Sequence, residues 1–319
     1  MSEVPEKKVI KKWEPRKKWV APEPVPFKPI RKSAFMTYKK CPKKFWFSYF
    51  VHSDDYWNYN EKNNSNPAAA AGDIYHAELD ELFTKIDYEL LYELEDDKKK
   101  FTYFRNKFSY SENYETEKTD MDKMFDWTCE MEVNRSNFFK KQYTKTEYLK
   151  WYPPKACELK VSMTDEIDRT GHIDRVDYLP AEKAYCIVEY KTGKNYDVNK
   201  PWSLTSLRAE TAFYAIICNE MELLDKPVLY WALYNPKIRQ FNVEKFPAAT
   251  MRAVNNTYKG LIQKIKESGE FPRKMSPLCM WCEYRPECFH GLKGEEKEWL
   301  FGKPSKYKTE EEALSDGVE

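Results

Sequence analysis

The chain has 319 residues, enough for one large domain or two medium ones. Hydrophobic residues make up 41% and charged residues 33%; the 16% share of aromatics still supplies a core, while nine glycines exclude collagen-like and glycine-linker architectures. Net charge is only +1, yet residues 1–50 hold 14 Lys/Arg against 4 Glu and the stretch 309–319 is acidic, so a basic arm on a neutral body points to a polyanion partner. No apolar run approaches the ~18 residues of a membrane span, and the first residues hold no apolar signal core. A soluble, intracellular (cytoplasmic) protein with no membrane partner is expected.

Taken in chain order, residues 1–32 are a basic, proline-rich arm with Pro5, Pro15, Pro22, Pro24, Pro26 and Pro29, expected to be extended. From Ser33, Phe35, Met36, Tyr38, Phe45, Phe47 and Tyr49 supply helical aromatic faces, and Pro42 predicts a kink or two short helices. A polar loop at 53–71 precedes a helix from Gly72 to about Leu94, with Ile74, Leu79, Leu82, Phe83, Ile86, Leu90 and Leu91 at helical spacing. Residues 95–118 show no clear period, and 119–142 read as a further helix. The period then becomes two over 157–163, 171–178 and 184–191, three successive strands. A helix at 203–222, strands at 227–234 and 238–243, a long helix at 247–267 and a charged tail at 299–319 follow. The expected fold is α/β: a mixed central β-sheet flanked by helices over residues 33–298, with a subdomain from both chain ends, 33–50 and 270–291.

Within the strands, Glu189 and Lys191 stand two apart and share one face with Ile187, while Cys186, Val188 and Tyr190 face the other way. A hairpin through Leu179–Lys183 brings Asp174 alongside Glu189. Two adjacent carboxylates repel each other unless a divalent cation such as Mg²⁺ or Mn²⁺ takes oxygen ligands from both. Metal, carboxylates and lysine are the parts needed to attack a phosphodiester. On its own, Glu-x-Lys on a strand reads more simply as a surface ion pair. His76, expected in the first turns of its helix, adds an imidazole that favours Mn²⁺. Glu210 and Tyr214 share a helix face at i and i+4, and Arg208 nearby could meet a phosphate.

Eight cysteines in a chain without a signal segment argue against a disulfide framework. Cys129, Cys157, Cys186 and Cys218 sit singly in apolar stretches as small hydrophobes. Cys279, Cys282 and Cys288 form C-x2-C-x5-C, and Cys41 is the candidate fourth ligand. One remote cysteine with a tight triple suits a [4Fe–4S] cluster better than zinc, which usually takes two close pairs.

The ordered set Cys41-Pro-x-x-Phe45, Gly72-x3-His76, Gly171-x2-Asp174-Arg-x-Asp177, Glu189-x-Lys191, Glu210-x3-Tyr214 and Cys279-x2-Cys282-x5-Cys288 resembles the PD-(D/E)XK nuclease superfamily, and within it the iron–sulfur RecB-like branch that includes CRISPR-associated RecB-like exonucleases and the AddB nuclease domain. The resemblance spans about residues 33–291. It implies a restriction-endonuclease-like core in which His76, Asp174 and Glu189, joined by the backbone carbonyl of Tyr190, ligate the catalytic metal. It implies that Lys191 activates the water, that Tyr214 belongs to the family's Gln-x3-Tyr motif, with Glu210 where Gln is usual, and that Cys41, Cys279, Cys282 and Cys288 hold a structural [4Fe–4S] cluster.

The function expected is a metal-dependent DNA nuclease acting on single strands or ends, in repair, recombination or CRISPR adaptation. No G-x4-G-K-[ST] loop is present, so unwinding would need a separate helicase. Phe45, Trp46, Phe47, Tyr49, Phe50, Tyr56, Trp57 and Tyr59 include candidate base-stacking platforms. The competing reading is a non-catalytic DNA-binding or assembly protein that keeps the fold. An iron–sulfur glycosylase fits less well, because the cysteine required seven residues before the pair is Pro272 here.

Overall fold

The computed structural model describes residues 30–51, 67–108, 118–164, 168–267, 271–282 and 284–288. The arm at 1–29, Tyr56, Trp57 and Tyr59, and the tail at 299–319 lie outside the described residues. Ile30 and Arg31, at the end of the segment read as an arm, form a two-residue strand, β1, with Ile30 buried. It leads into α1 (Lys32–Lys40). Cys41 is extended, and Pro42 opens α2 (Pro42–Trp46), which runs into a π-helical turn at Phe47–Val51. The proline thus yields two helices, since a ring with no N–H suits a first helical turn and not an interior.

α3 spans Pro67–Thr84, starting before Gly72, so His76 lies in mid-helix and not in the first turns. The single helix expected to Leu94 is broken. The Asp87 side chain accepts from the N–H groups of Glu89 and Leu90, both at 3.0 Å, and so caps a new helix, α4 (Tyr88–Glu93). Asp96 does the same for α5 (Asp97–Arg105), in the stretch where no period is legible. α6 (Lys118–Gln142) follows, then α7 (Lys145–Trp151) behind a Thr144/Glu147 capping box.

The remaining elements are β2 (Ala156–Met163), β3 (Arg169–Leu179), β4 (Ala184–Tyr190), α8 (Pro201–Glu220), β5 (Val228–Asn235), β6 (Gln240–Lys245), α9 (Ala248–Lys266) and α10 (Arg285–Cys288). The sheet runs β1-β3-β4-β5-β6, with β2 paired to β3. β1–β3 and β4–β5 are parallel; β2–β3, β3–β4 and β5–β6 are antiparallel. This is a mixed open sheet flanked by helices, as expected. α8 supplies the crossover that a parallel β4–β5 pair requires. The β3–β4 and β5–β6 hairpins close through a proline-led 3₁₀ turn ending in a left-handed residue, Lys183 (φ 50°) and Arg239 (φ 55°).

Each face of the sheet has its own core. Ile173, Ile187, Trp231 and Leu233 pack against α1, α8 and α9. Cys186, Val188, Tyr190 and Tyr234 pack against α3, α6 and α7. The second face also buries a charged quartet. Arg175 donates two bonds of 2.7 Å to Asp177 and one of 2.8 Å to Glu132, while Arg135 lies 3.2 Å from Glu132 and 3.6 Å from Asp177. Burial would raise both carboxyl pKa values, but the two guanidinium groups outweigh it and hold them below the ordinary range. The segments 33–50 and 271–282 meet where Phe271 packs on Tyr38 and Phe45. Phe45 and Phe47 are buried and so belong to the core. No helix among the described residues is long and apolar enough to cross a membrane.

Candidate active site

Helices cover both faces of β4, so all seven of its residues are buried. Its alternation sends Tyr185 and Ile187 into one core and Cys186, Val188 and Tyr190 into the other, as expected from the sequence. Glu189 therefore carries a carboxylate into the interior at 1% exposure. Such a charge costs several kcal/mol unless it is paired. Lys191 Nζ donates to its Oε1 at 2.6 Å, and Lys32 Nζ, from the start of α1, donates to the same oxygen at 2.8 Å. Burial raises the Glu189 pKa, but the two ammonium groups dominate and hold it low. Burial, the largest single influence, pushes Lys191 and Lys32 toward the neutral form, yet Glu189 together with Glu210 outweighs it, so both stay protonated. The other oxygen, Glu189 Oε2, is buried and has no hydrogen-bond partner among the described residues.

The hairpin register pairs Arg175 with Val188, which sets Asp174 one step on beside Glu189. Asp174 Oδ2 accepts the Tyr190 N–H at 2.7 Å, and its Oδ1 lies 3.5 Å from His76 Nδ1. Gly72, one turn before His76, lets α3 approach Thr192, whose hydroxyl would be 3.1 Å from an added methyl.

The third member of the cluster is a residue absent from the expected site. Glu158 lies in β2, opposite Asp174, between the pairs Cys157–Arg175 and Leu159–Ile173. Ligand atoms of His76, Glu158 and Asp174 all lie within 4.8 Å of one another. Glu158 has φ 45°, a left-handed conformation that a non-glycine residue rarely takes inside a strand. Burial first and then Asp174 raise its pKa, which is the resistance of two converging carboxyls to joint ionisation. A divalent cation relieves that resistance; Glu189, expected among the ligands, is not one of the three that converge, although its Oε2 is buried without a hydrogen-bond partner among the described residues.

Glu210 on α8 faces the same site, its Oε2 3.5 Å from Lys32 Nζ and 3.8 Å from Lys191 Nζ. Tyr214, one turn on, is buried with Lys32 Nζ 5.2 Å from its ring centre. Gly171 is required there, because a methyl at that position would collide with the Tyr214 ring. Arg208 departs from expectation: both of its bonds, 2.7 and 2.9 Å, go to Glu244 on β6, so it serves as a sheet–helix tie and is not turned to the site.

A sequence profile of the PD-(D/E)XK nuclease superfamily matches residues 32–289, most of the chain and the whole span of this site. The chain belongs to the PD-(D/E)XK nuclease superfamily. No curated protein matches it closely enough to count as a relative. The superfamily's usual chemistry, metal-dependent cleavage of nucleic acid, fits the acidic cluster built here.

The superfamily match also spans the four cysteines, which line one pocket together with Lys44, Phe47, Arg273 and Tyr284. Burial, and to a smaller degree Cys41 and Cys282, push the Cys288 thiol up to about 11. The four sulfurs are not among the ligand atoms that converge within 4.8 Å, so as placed they are spread more widely than a single-ion site. Of the other four, Cys129, Cys186 and Cys218 are buried and Cys157 is half-buried.

Proposed function

We propose that the chain is a divalent-metal-dependent deoxyribonuclease acting on single strands or DNA ends. The observation that carries this reading is the convergence of His76, Glu158 and Asp174 beside a buried Glu189 with one oxygen unpartnered and the other held by Lys191. Mn²⁺ or Mg²⁺ bound there would supply Lewis-acid polarisation of the phosphate and lower the pKa of water. The backbone carbonyl of Tyr190 is proposed as a further ligand. Asp174 keeps one oxygen on the Tyr190 N–H, which fixes its orientation. Lys191, held protonated, donates a hydrogen bond toward the attacking water and the developing phosphoryl charge, so it acts electrostatically and not as a base. Tyr214 and Glu210 wall the lysine side of the site.

The RecB-like reading extends to the cysteines. A [4Fe–4S] cluster on Cys41, Cys279, Cys282 and Cys288 is proposed from the C-x2-C-x5-C pattern with a remote fourth cysteine and from the pocket that the four line together. It would tie segment 33–50 to segment 270–291 and make residues 33–298 one nuclease domain between a basic arm and a charged tail. The proposed setting is DNA repair, recombination or CRISPR adaptation, with a separate helicase or adaptation protein as partner.

The test is digestion of end-labelled single- and double-stranded DNA with and without Mn²⁺. Metal-dependent loss of the single-stranded label supports the reading. Tight DNA binding with no cleavage under any divalent ion would favour the non-catalytic alternative.

A further inference from the structure

The site holds four carboxylates and two ammonium groups: Glu158 and Asp174 converge with His76, and Glu189 and Glu210 flank Lys32 and Lys191. The excess is two negative charges, the charge that one divalent ion neutralises. Without Lys32 the excess would be three, and an anionic phosphodiester would have to enter a negative site. Lys32 bridges the two carboxylates that do not belong to the His76 cluster, at 2.8 Å from Glu189 and 3.5 Å from Glu210. It is also fixed in place. Ile30 and Arg31 pair with Arg169 and Thr170 of β3, α1 starts at Lys32 itself, and no acidic residue occupies the first turn of α1.

We infer that Lys32 is a positioning residue of the nuclease site. It neutralises Glu210, and it keeps Glu189 Oε1 partnered when Lys191 turns to the water and the phosphate. Two donors on one carboxylate oxygen have a clear use in this arrangement. One can leave during turnover without exposing a buried charge, whose loss of partner costs several kcal/mol. The inference rests on the nuclease reading of the site.

The experiment is a double-mutant cycle with Lys32→Met and Glu210→Gln, read as steady-state cleavage in Mn²⁺ and as melting temperature in EDTA. Lys32→Met is expected to lower kcat by a factor on the order of 10² with KM within about threefold. It is also expected to lower the melting temperature without metal. Adding Glu210→Gln is expected to restore at least tenfold of the lost kcat and part of the lost melting temperature, because it removes the charge that Lys32 offsets. Lys32→Arg, which keeps the charge, is expected to stay within about tenfold of wild type. A double variant no better than Lys32→Met, a Lys32→Arg as poor as Lys32→Met, or a fully active Lys32→Met would each overturn the assignment. A wild-type chain that never cuts would count instead against the nuclease reading.

Discussion

Glu158 shows how a single residue can give up local comfort for a site. Its left-handed backbone and raised carboxyl both oppose its position, and both follow from its facing Asp174 across the β2–β3 ladder. Glu158→Asn keeps a side chain that tolerates this backbone and removes one of the two crowded charges. The melting temperature in EDTA is expected to hold or rise by a few degrees, while Mn²⁺ affinity by calorimetry falls at least tenfold. Equal Mn²⁺ affinity would remove Glu158 from the ligand set. At Lys191 the charge is fixed and only its position matters. Lys191→Ala is expected to cut turnover by a factor on the order of 10² with DNA affinity little changed. Glu189 with Lys191 and Glu210 with Tyr214 are legible in the sequence because two-residue and one-turn spacing puts each pair on one face; Asp174 follows from a hairpin, and His76 joins them only through the ordered motifs of the family resemblance. Glu158 and Lys32 are not legible. Glu158 enters through antiparallel register, which a scan for apolar alternation passes over. Lys32 enters through a two-residue parallel pairing with β3, a contact between residues far apart in the chain.

At the scale of elements, hydrophobic period predicted β2 to β6 and the helices α6, α8 and α9 to within one or two residues, whereas α3 starts five residues before the expected Gly72 and ends at Thr84. The misses have local causes: Asp87 and Asp96 cap new helices where hydrophobic spacing reads as continuous or blank. The β3 motif divides its labour between the two sheet faces. Asp174 serves the site, and Arg175 and Asp177 tie β3 to α6 through Glu132. Removing one member strands the others, so Glu132→Ala is expected to cost roughly 3–5 kcal/mol in urea unfolding. The pH dependence has a definite sign. Glu132 and Asp177 have folded pKa values below their unfolded ones. Their contribution is therefore present above the unfolded carboxyl range of about 4 and is lost as pH falls through the folded values. Melting temperature is expected to drop as pH falls below about 4, and less steeply in Glu132→Gln. Gly171 links the same strand to α8. Gly171→Ala must displace the Tyr214 ring and is expected to destabilise by about 1–3 kcal/mol, which thermal melts would register.

At the scale of the molecule, two helical layers bury a strand that ends in charge; burial opposes that charge, and the pairing of Glu189 with Lys191 and Lys32 is what holds the carboxylate low in pKa and the lysines protonated. The α/β class and the sheet at its centre follow from the alternation of helical and two-residue periods. The meeting of α1, α2 and residues 271–282 does not follow from any local signal, except that cysteines at both ends ask for one another. The half-buried cluster of His76, Glu158 and Asp174 is proposed to bind a divalent ion and to cut DNA. The most direct measurement is cleavage of end-labelled single-stranded DNA in Mn²⁺ by wild type, Asp174→Ala and Glu189→Ala, with DNA binding recorded on the same samples. The expected result is cutting by wild type alone, with both variants binding as well or more tightly, since removing a carboxylate near the phosphate removes a repulsion. Cutting at the wild-type rate by either variant would contradict it.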